Sequence, residues 1–308
     1  MTGTKPPGRG WPRAAGLLGV VMATSIVHPG VLIAVPLLAL LVAHGLRGTG
    51  VVTAALFATL ILATGARDGV WYAERAWSVL LGGGFLALTM VVPGWTLSSR
   101  ALGAVAGAAA AAAGVLALRA DAWGALDAAI SGGVRASADQ TLATLATLNG
   151  GQPASPALVS AFQQVAETQA TVFPAMIGLA SMAALGVGWW VRTRIVGEGD
   201  QGVGPLRDFR FNDHLVWLLI GGLLLIFAQW GDAVARVGSN ALVFMAALYM
   251  LRGAAVFVFI SGGLSLLGYV TVLVGLVVAA PVLMGMAVLI GVGDTWLDLR
   301  SRVRERTA

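Results

Sequence analysis

The chain has 308 residues, of which 58% are hydrophobic and only 11% charged; soluble domains carry roughly 25% charged residues, so a soluble core of this size could not be covered. The apolar residues fall in blocks of roughly 15–20, the pattern of membrane-spanning helices, and the net charge of +5 flanks these blocks with no interleaved aromatic stripe, which speaks against nucleic acid. With no cysteine in the sequence, disulfides, a thiolate nucleophile and cysteine metal sites are excluded.

The N-terminal stretch pairs Lys5, Arg9 and Arg13 with the apolar AAGLLGVVMATSIV, which fits the n- and h-regions of a signal peptide. HPG and VLIAVPLLALLVA follow at once, however, so an uncleaved first helix is expected. The expected spans are 14–27, 31–46, 51–66, 77–93, 101–118, 172–191, 214–230, 239–260, 264–278 and 280–293. Several fall short of the roughly 20 residues of a straight crossing. The first two, broken at His28-Pro29-Gly30, and the last two, broken near Pro281, therefore read either as short hairpins or as single kinked spans. The fold class is an all-α polytopic transmembrane bundle of about 8–10 segments, forming one membrane domain over residues 1–308.

Charge orients this arrangement. With ten crossings and both termini cytoplasmic, Lys5, Arg9, Arg13, Arg47, Arg100, Arg192, Arg194, Arg207, Arg210, Arg300, Arg302, Arg304 and Arg306 lie inside. Only Arg67, Arg75, Arg119, Arg135 and Arg236 lie outside, as the positive-inside rule demands. Residues 192–213 then form a cytoplasmic loop and 294–308 a basic cytoplasmic tail.

Between the fifth and sixth spans, residues 119–171 are polar enough to leave the membrane and read as an extracytoplasmic or interfacial amphipathic hairpin. Leu126, Ile130 and Val134, then Leu142, Leu145 and Leu148, recur at helical spacing. After the turn NGGQPAS, Ser155-Pro156 supplies an N-cap and N1 proline, and Leu158, Phe162, Val165 and Ala166 share one face. The acids Asp121, Asp127, Asp139 and Glu167 outnumber Arg119 and Arg135, which suits an outside location. Before the hairpin, GAVAG at 103–107 is a small-xxx-small face. It reads as close packing within one chain, as does Gly82-Gly83-Gly84.

Motifs that carry chemistry are scarce. GEGDQG at 197–202 has the letter pattern of a dinucleotide-binding loop, yet no strand precedes it and its two acids would repel a pyrophosphate. His28, His44 and His214 stand in separate segments without carboxylates at ligand spacing. No HExxH, GxSxG or P-loop occurs, so the expectation is no enzyme, no metal and no cofactor. No Asp or Glu falls inside an expected span, whereas proton- and sodium-coupled pumps place carboxylates at membrane depth; a self-contained proton-driven transporter is not expected.

Two polar clusters stand at the outer ends of spans: Trp71, Glu74 and Arg75, and Trp230, Asp232 and Asn240. They read either as interface anchors or as the rim of an outward-facing pocket for a small polar solute. One charge, Arg252 in LYMLRGAAVFVF, falls within an apolar block, where a guanidinium costs several kcal/mol. Counted from Ser239 it lies about 20 Å deep, within snorkelling reach of the cytoplasmic edge. Asp213, Asp294 and Asp298 are the candidate ion-pair partners there, so Arg252 reads as a latch on the C-terminal end of the bundle, the alternative being a ligand- or ion-handling role.

Pro174-Ala-Met-Ile, FRFNDHLVWLL at 209–219, Asn240 with LYMLRGAAVFVF, and GVGDTWLDLRSR at 291–302 occur in an order that resembles the YybS-like bacterial membrane proteins. That resemblance implies a fold related to the substrate-binding S components of energy-coupling-factor transporters for vitamins and metals. It implies a compact bundle in the bacterial inner membrane, with an outward pocket and energy supplied by partner membrane proteins. The chain has more apolar segments than the six helices of an S component. The alternative is a structural or interaction protein of the envelope that docks through the 119–171 hairpin.

Overall fold

A computed structural model describes residues 11–25, 28–44, 69–119, 121–197, 206–263 and 266–307, with the single positions 52, 56 and 59. Most of the expected span 51–66, the charges Arg67 and Asp68, and most of GEGDQG lie outside the described residues. Among the described residues all regular structure is helical. The helices are α1 (Trp11–Thr24), α2 (Pro29–His44), α3 (Gly69–Val91), α4 (Leu97–Ala117), α5 (Ala122–Leu148), α6 (Pro156–Val196), α7 (Val216–Phe227), α8 (Asp232–Ile260), α9 (Leu266–Leu297) and α10 (Leu299–Thr307). The chain is an all-α polytopic membrane protein. Four of its described helical stretches are long and apolar enough to cross a bilayer: Leu97–Ala117, Pro156–Val196, Asp232–Ile260 and Val278–Leu297. Three apolar helices are shorter, Arg13–Thr24, Pro29–Ala43 and Asp213–Phe227.

Two compact units divide the chain, Met1–Gly202 and Val203–Ala308. The first is organised around α6, against which α1, α2, α4 and α5 all pack. Its membrane half is dominated by small residues, and Ala180, Ala183, Ala184, Gly186 and Gly188 are buried. That lets neighbouring helices approach closely. Val21, Leu32, Leu81, Phe85, Leu185 and Trp189 fill the core between them. Phe85 meets Trp189 edge-on at 6.1 Å, and Trp77 Nε1 donates to Ser181 Oγ at 2.9 Å. Within GAVAG, Ala104 is buried against Gly84 of α3 and a Cβ at Gly103 would meet Leu88, whereas Gly107 is exposed with open space beside it, so only the first half of this face packs inside the unit.

The amphipathic hairpin is present, but its second arm does not end where the span was expected to begin. Residues 156–171 and 172–191 belong to one 41-residue helix, α6, bent at Val172 (φ −101°, ψ 15°). Pro174 lies two residues beyond the bend; its ring and missing N–H open the preceding turn without ending the helix. Ser155 caps the start by accepting from Leu158 N at 3.3 Å, and Gly197 ends the helix in the left-handed region at φ 81°, a common terminator. Ile130, Val134, Ala166 and Phe173 form the hairpin core. Leu148, Leu158 and Val165, expected on the packed face, are exposed, so burial is confined to the end of the hairpin nearer the bend.

The second unit is built on α8, which packs against α7 and α9. Gly238 faces the Gly222 carbonyl so closely that a Cβ there would stand 2.7 Å from it. The expected spans 264–278 and 280–293 form one helix, α9, bent at Ala279 (φ −138°, ψ 38°), again two residues before a proline, Pro281. Several boundaries also move. The spans expected at 77–93 and 239–260 start earlier, at Gly69 and Asp232, while that at 214–230 shrinks to Val216–Phe227 after a 3₁₀ turn at Asp213–Leu215. The tail expected from Asp294 is helical, because α9 runs to Leu297 and α10 takes up Leu299–Thr307. Apolar blocks marked hydrocarbon depth, but a helix continues through polar residues wherever these find partners.

Candidate functional site

In the second unit, the loop before α7 folds its aromatic residues onto α8. Phe211 is buried, 5.1 Å from the Tyr249 ring, and Asn212 caps the following 3₁₀ turn by accepting from His214 N at 3.0 Å. This places Asp213 beside Arg252. Arg252 is 2% exposed, yet its donors are engaged. Nε donates to Asp294 Oδ2 at 2.9 Å, Nη1 to Asp213 Oδ1 at 2.5 Å and Nη2 to the Asp294 carbonyl at 3.3 Å. Its guanidinium also sits 5.4 Å from the Phe211 ring centre.

Asp294 is itself 1% exposed, and a second arginine reaches it: Arg300, also 2% exposed, donates from Nη2 to the same Oδ2 at 2.8 Å. Arg300 Nη1 donates to the carbonyls of Arg207 and Phe209, which ties α10 to the loop before α7. Asp298 bonds Arg210, at 2.6 Å, rather than Arg252. It occupies the break between α9 and α10 at φ 39°. Although its slight desolvation acts upward, the hydrogen bonds from Arg210 and Ser301 hold its carboxyl below the ordinary value.

One sequence expectation changes here: Asp294 lies inside α9 and Glu74 inside α3, so carboxylates do enter helices read as spans, each paired with arginine.

In the first unit a separate cluster forms where α2 starts against α3. Glu74 is 3% exposed; its Oε2 receives Arg75 Nη1 at 2.9 Å and lies 3.1 Å from His28 Nδ1, whose side chain is 55% exposed. Arg75 is buried and its guanidinium stacks 4.2 Å above the Trp71 ring. Glu74 Oε1 is buried without a hydrogen-bond partner among the described residues. Trp71, Glu74 and Arg75 are thus one assembly, joined by His28. Trp230, Asp232 and Asn240 belong to the second unit. There Trp230 and Asp232 are exposed at the start of α8, while Asn240 donates to the Arg236 carbonyl of its own helix.

Sequence reasoning missed His28 and Arg300. His28 stands 46 residues from Glu74, and no local spacing joins them; its place directly before Pro29, where α2 starts, was the one available clue. Arg300 read as one of several tail arginines. No group of three or more metal-ligating side chains occurs among the described residues.

The bundle, with its paired charges inside apolar helices, defines a polytopic α-helical membrane protein. The chain belongs to the family of predicted membrane proteins designated DUF2232, whose family model matches residues 15–295, in keeping with the YybS-like resemblance. No curated protein and no solved structure matches it.

Proposed function

We propose that the chain is a non-enzymatic, transport-related subunit of the bacterial inner membrane, with both termini cytoplasmic, that binds a small polar solute and depends on partner proteins for energy. The observation that supports this reading is the Glu74 carboxylate. Burying a charged group with one oxygen unbonded costs several kcal/mol, and an N–H or O–H from a solute would satisfy that oxygen. Trp71 and Arg75 supply an aromatic face and a cation beside it, and the half-exposed His28 leads from the carboxylate to solvent.

The test is a thermal-shift screen of the full chain in nanodiscs against vitamins, nucleosides and divalent metals. The expected result is a stabilising compound whose effect disappears in Glu74→Gln and weakens in Trp71→Ala. A hit that stabilises both variants as well as the unmodified protein would remove Glu74 from the reading.

A second reading, an interaction protein of the envelope, is favoured by a different observation: Leu148, Leu158 and Val165 are exposed on the hairpin. Charged substitutions at Leu148 and Val165 would then impair the protein in cells, while Glu74→Gln would not.

A further inference from the structure

Arg252 is the one charged residue of α8 between Val237 and Ile260, and eight uncharged residues, about 12 Å of helix, follow it. We propose that it marks the inner end of a water-filled crevice that enters the second unit from the side of the C-terminal tail. The crevice admits hydrated ions and small polar solutes to membrane depth. This proposal is independent of the Glu74 reading above.

Packing places apolar surface on both sides of the charges. α7 starts next to Asp213, the partner of Arg252, and reaches Gly238 and Ala241 with its Gly222; its Trp217, Leu224 and Phe227 are exposed. α9 runs antiparallel to α8 and continues past Arg252 in the other direction. Asp294 meets Arg252, Gly291 meets Tyr249, and Ala287 meets Gly253. Met284, Met286 and Leu289 of α9 are exposed, as is Phe257 of α8. Both α8 and the Val278–Leu297 stretch are long and apolar enough to cross a bilayer, so these side chains face lipid.

Between the two apolar belts, the side chains of Arg207, Asp208, Arg210, Asp213 and Asp298 are 46–62% exposed. Charged groups at membrane depth face a bundle interior or water, because hydrocarbon does not solvate them. Pairing does not remove that need, since the exposed half of each pair must still be solvated. The backbone agrees. Two short 3₁₀ turns, Leu206–Asp208 and Asp213–Leu215, replace a continuous helix here, and the first packs on α8. Irregular backbone at membrane depth occurs only where it is buried in protein or lines a water-filled cavity.

A cavity of about 220 Å³ lies at this place, walled by Arg207, Asp208, Arg210, Phe259 and Arg300. Phe259 stands one residue before the end of α8, so the cavity extends from the charges towards that end. The basic helix α10 leaves the same cluster through Arg300, and its charges require the same water.

The sequence contains no cysteine, so single cysteines in the full chain can be probed with a membrane-impermeant maleimide in sealed vesicles of either orientation. Arg207→Cys and Asp208→Cys test the crevice. Their side chains form an exposed pair 3.9 Å apart, and the Arg207 carbonyl that accepts from Arg300 is kept. Leu289→Cys and Phe257→Cys test the apolar belt, and Arg302→Cys, exposed on α10, sets the rate for open water. Complete reaction of every variant after denaturation shows that each thiol is present. Arg207→Cys and Asp208→Cys are expected to react at a rate comparable with Arg302→Cys and from the same side. Leu289→Cys and Phe257→Cys are expected to react at least about tenfold more slowly, since the thiolate is the reacting species and hydrocarbon disfavours its charge. Slow reaction of both crevice variants in intact membranes, reaction of Leu289→Cys as fast as theirs, or their labelling from the side opposite to Arg302→Cys would overturn the proposal.

Discussion

Arg252 and Arg300 converge on a single atom, Asp294 Oδ2, at 2.9 and 2.8 Å. The three residues come from α8, α9 and α10, and Asp213 extends the group to the start of α7. One buried carboxylate therefore joins the C-terminal helix to the long central helix of its unit. Removing one member of such a group leaves uncompensated buried charge, typically a loss of about 3–5 kcal/mol.

Arg252→Ala and Asp294→Ala are each expected to lower folded yield sharply in detergent-solubilised size-exclusion profiles. The combined variant is expected to lose less than the sum of the two, since Asp294→Ala strands both Arg252 and Arg300 and removing Arg252 takes away one of these two buried cations. A simple sum of the two losses would show that the residues act separately.

The His28–Glu74 pair predicts an asymmetric result. His28 is half-exposed, so His28→Ala is expected to cost under about 1 kcal/mol. Glu74→Ala strands the buried Arg75 and is expected to cost about 3 kcal/mol or more. Thermal unfolding in detergent separates these outcomes, and equal shifts would argue that the contact with His28, rather than burial, stabilises Glu74.

Much of this arrangement is legible in the sequence, for identifiable reasons. Arg252 is conspicuous because a lone guanidinium in an apolar block requires a partner, and GVGDTWLDLR offers acids near the end of the last span. The choice between Asp294 and Asp298 is not legible. Both share a helical face at i, i+4, and only the helix break at Asp298, with its positive φ, turns that carboxylate towards Arg210. Likewise Pro174 and Pro281 announce a disturbance, but whether a proline bends a helix or ends it depends on the packing of the flanking turns. The link from His28 to Glu74 is a tertiary contact with no sequence periodicity behind it.

Acid should loosen the outer part of the latch first. The carboxyl of Asp298 titrates below its unfolded value in the folded protein. Its stabilising contribution is therefore complete above about pH 4, the unfolded pKa, and declines as pH falls through the lower folded value. The pair with Arg210 is about half-exposed, which limits the effect to under about 1 kcal/mol. Melting temperatures of the unmodified protein and Asp298→Asn are expected to converge in this acid range and to differ above it; a constant difference across pH would contradict the assignment.

The closest helix contact gives a steric prediction with a built-in control. A Cβ added at Gly253 would run into the Ala287 carbonyl, and one at Gly291 into the Tyr249 carbonyl. Both obstacles are backbone, so neither can move aside as a side chain end would. Gly253→Ala is expected to force α8 and α9 apart at a cost of about 1–3 kcal/mol, and to weaken the nearby Arg252–Asp294 bond. Gly285, on the same helix as Gly291, has open space where its Cβ would stand. Gly285→Ala should therefore be neutral or stabilising by up to about 1 kcal/mol, as expected for glycine replaced by alanine within a helix. Unfolding midpoints of the two variants in detergent should move in opposite directions or differ clearly in size. If both fall equally, glycine flexibility rather than the α8–α9 contact governs this region.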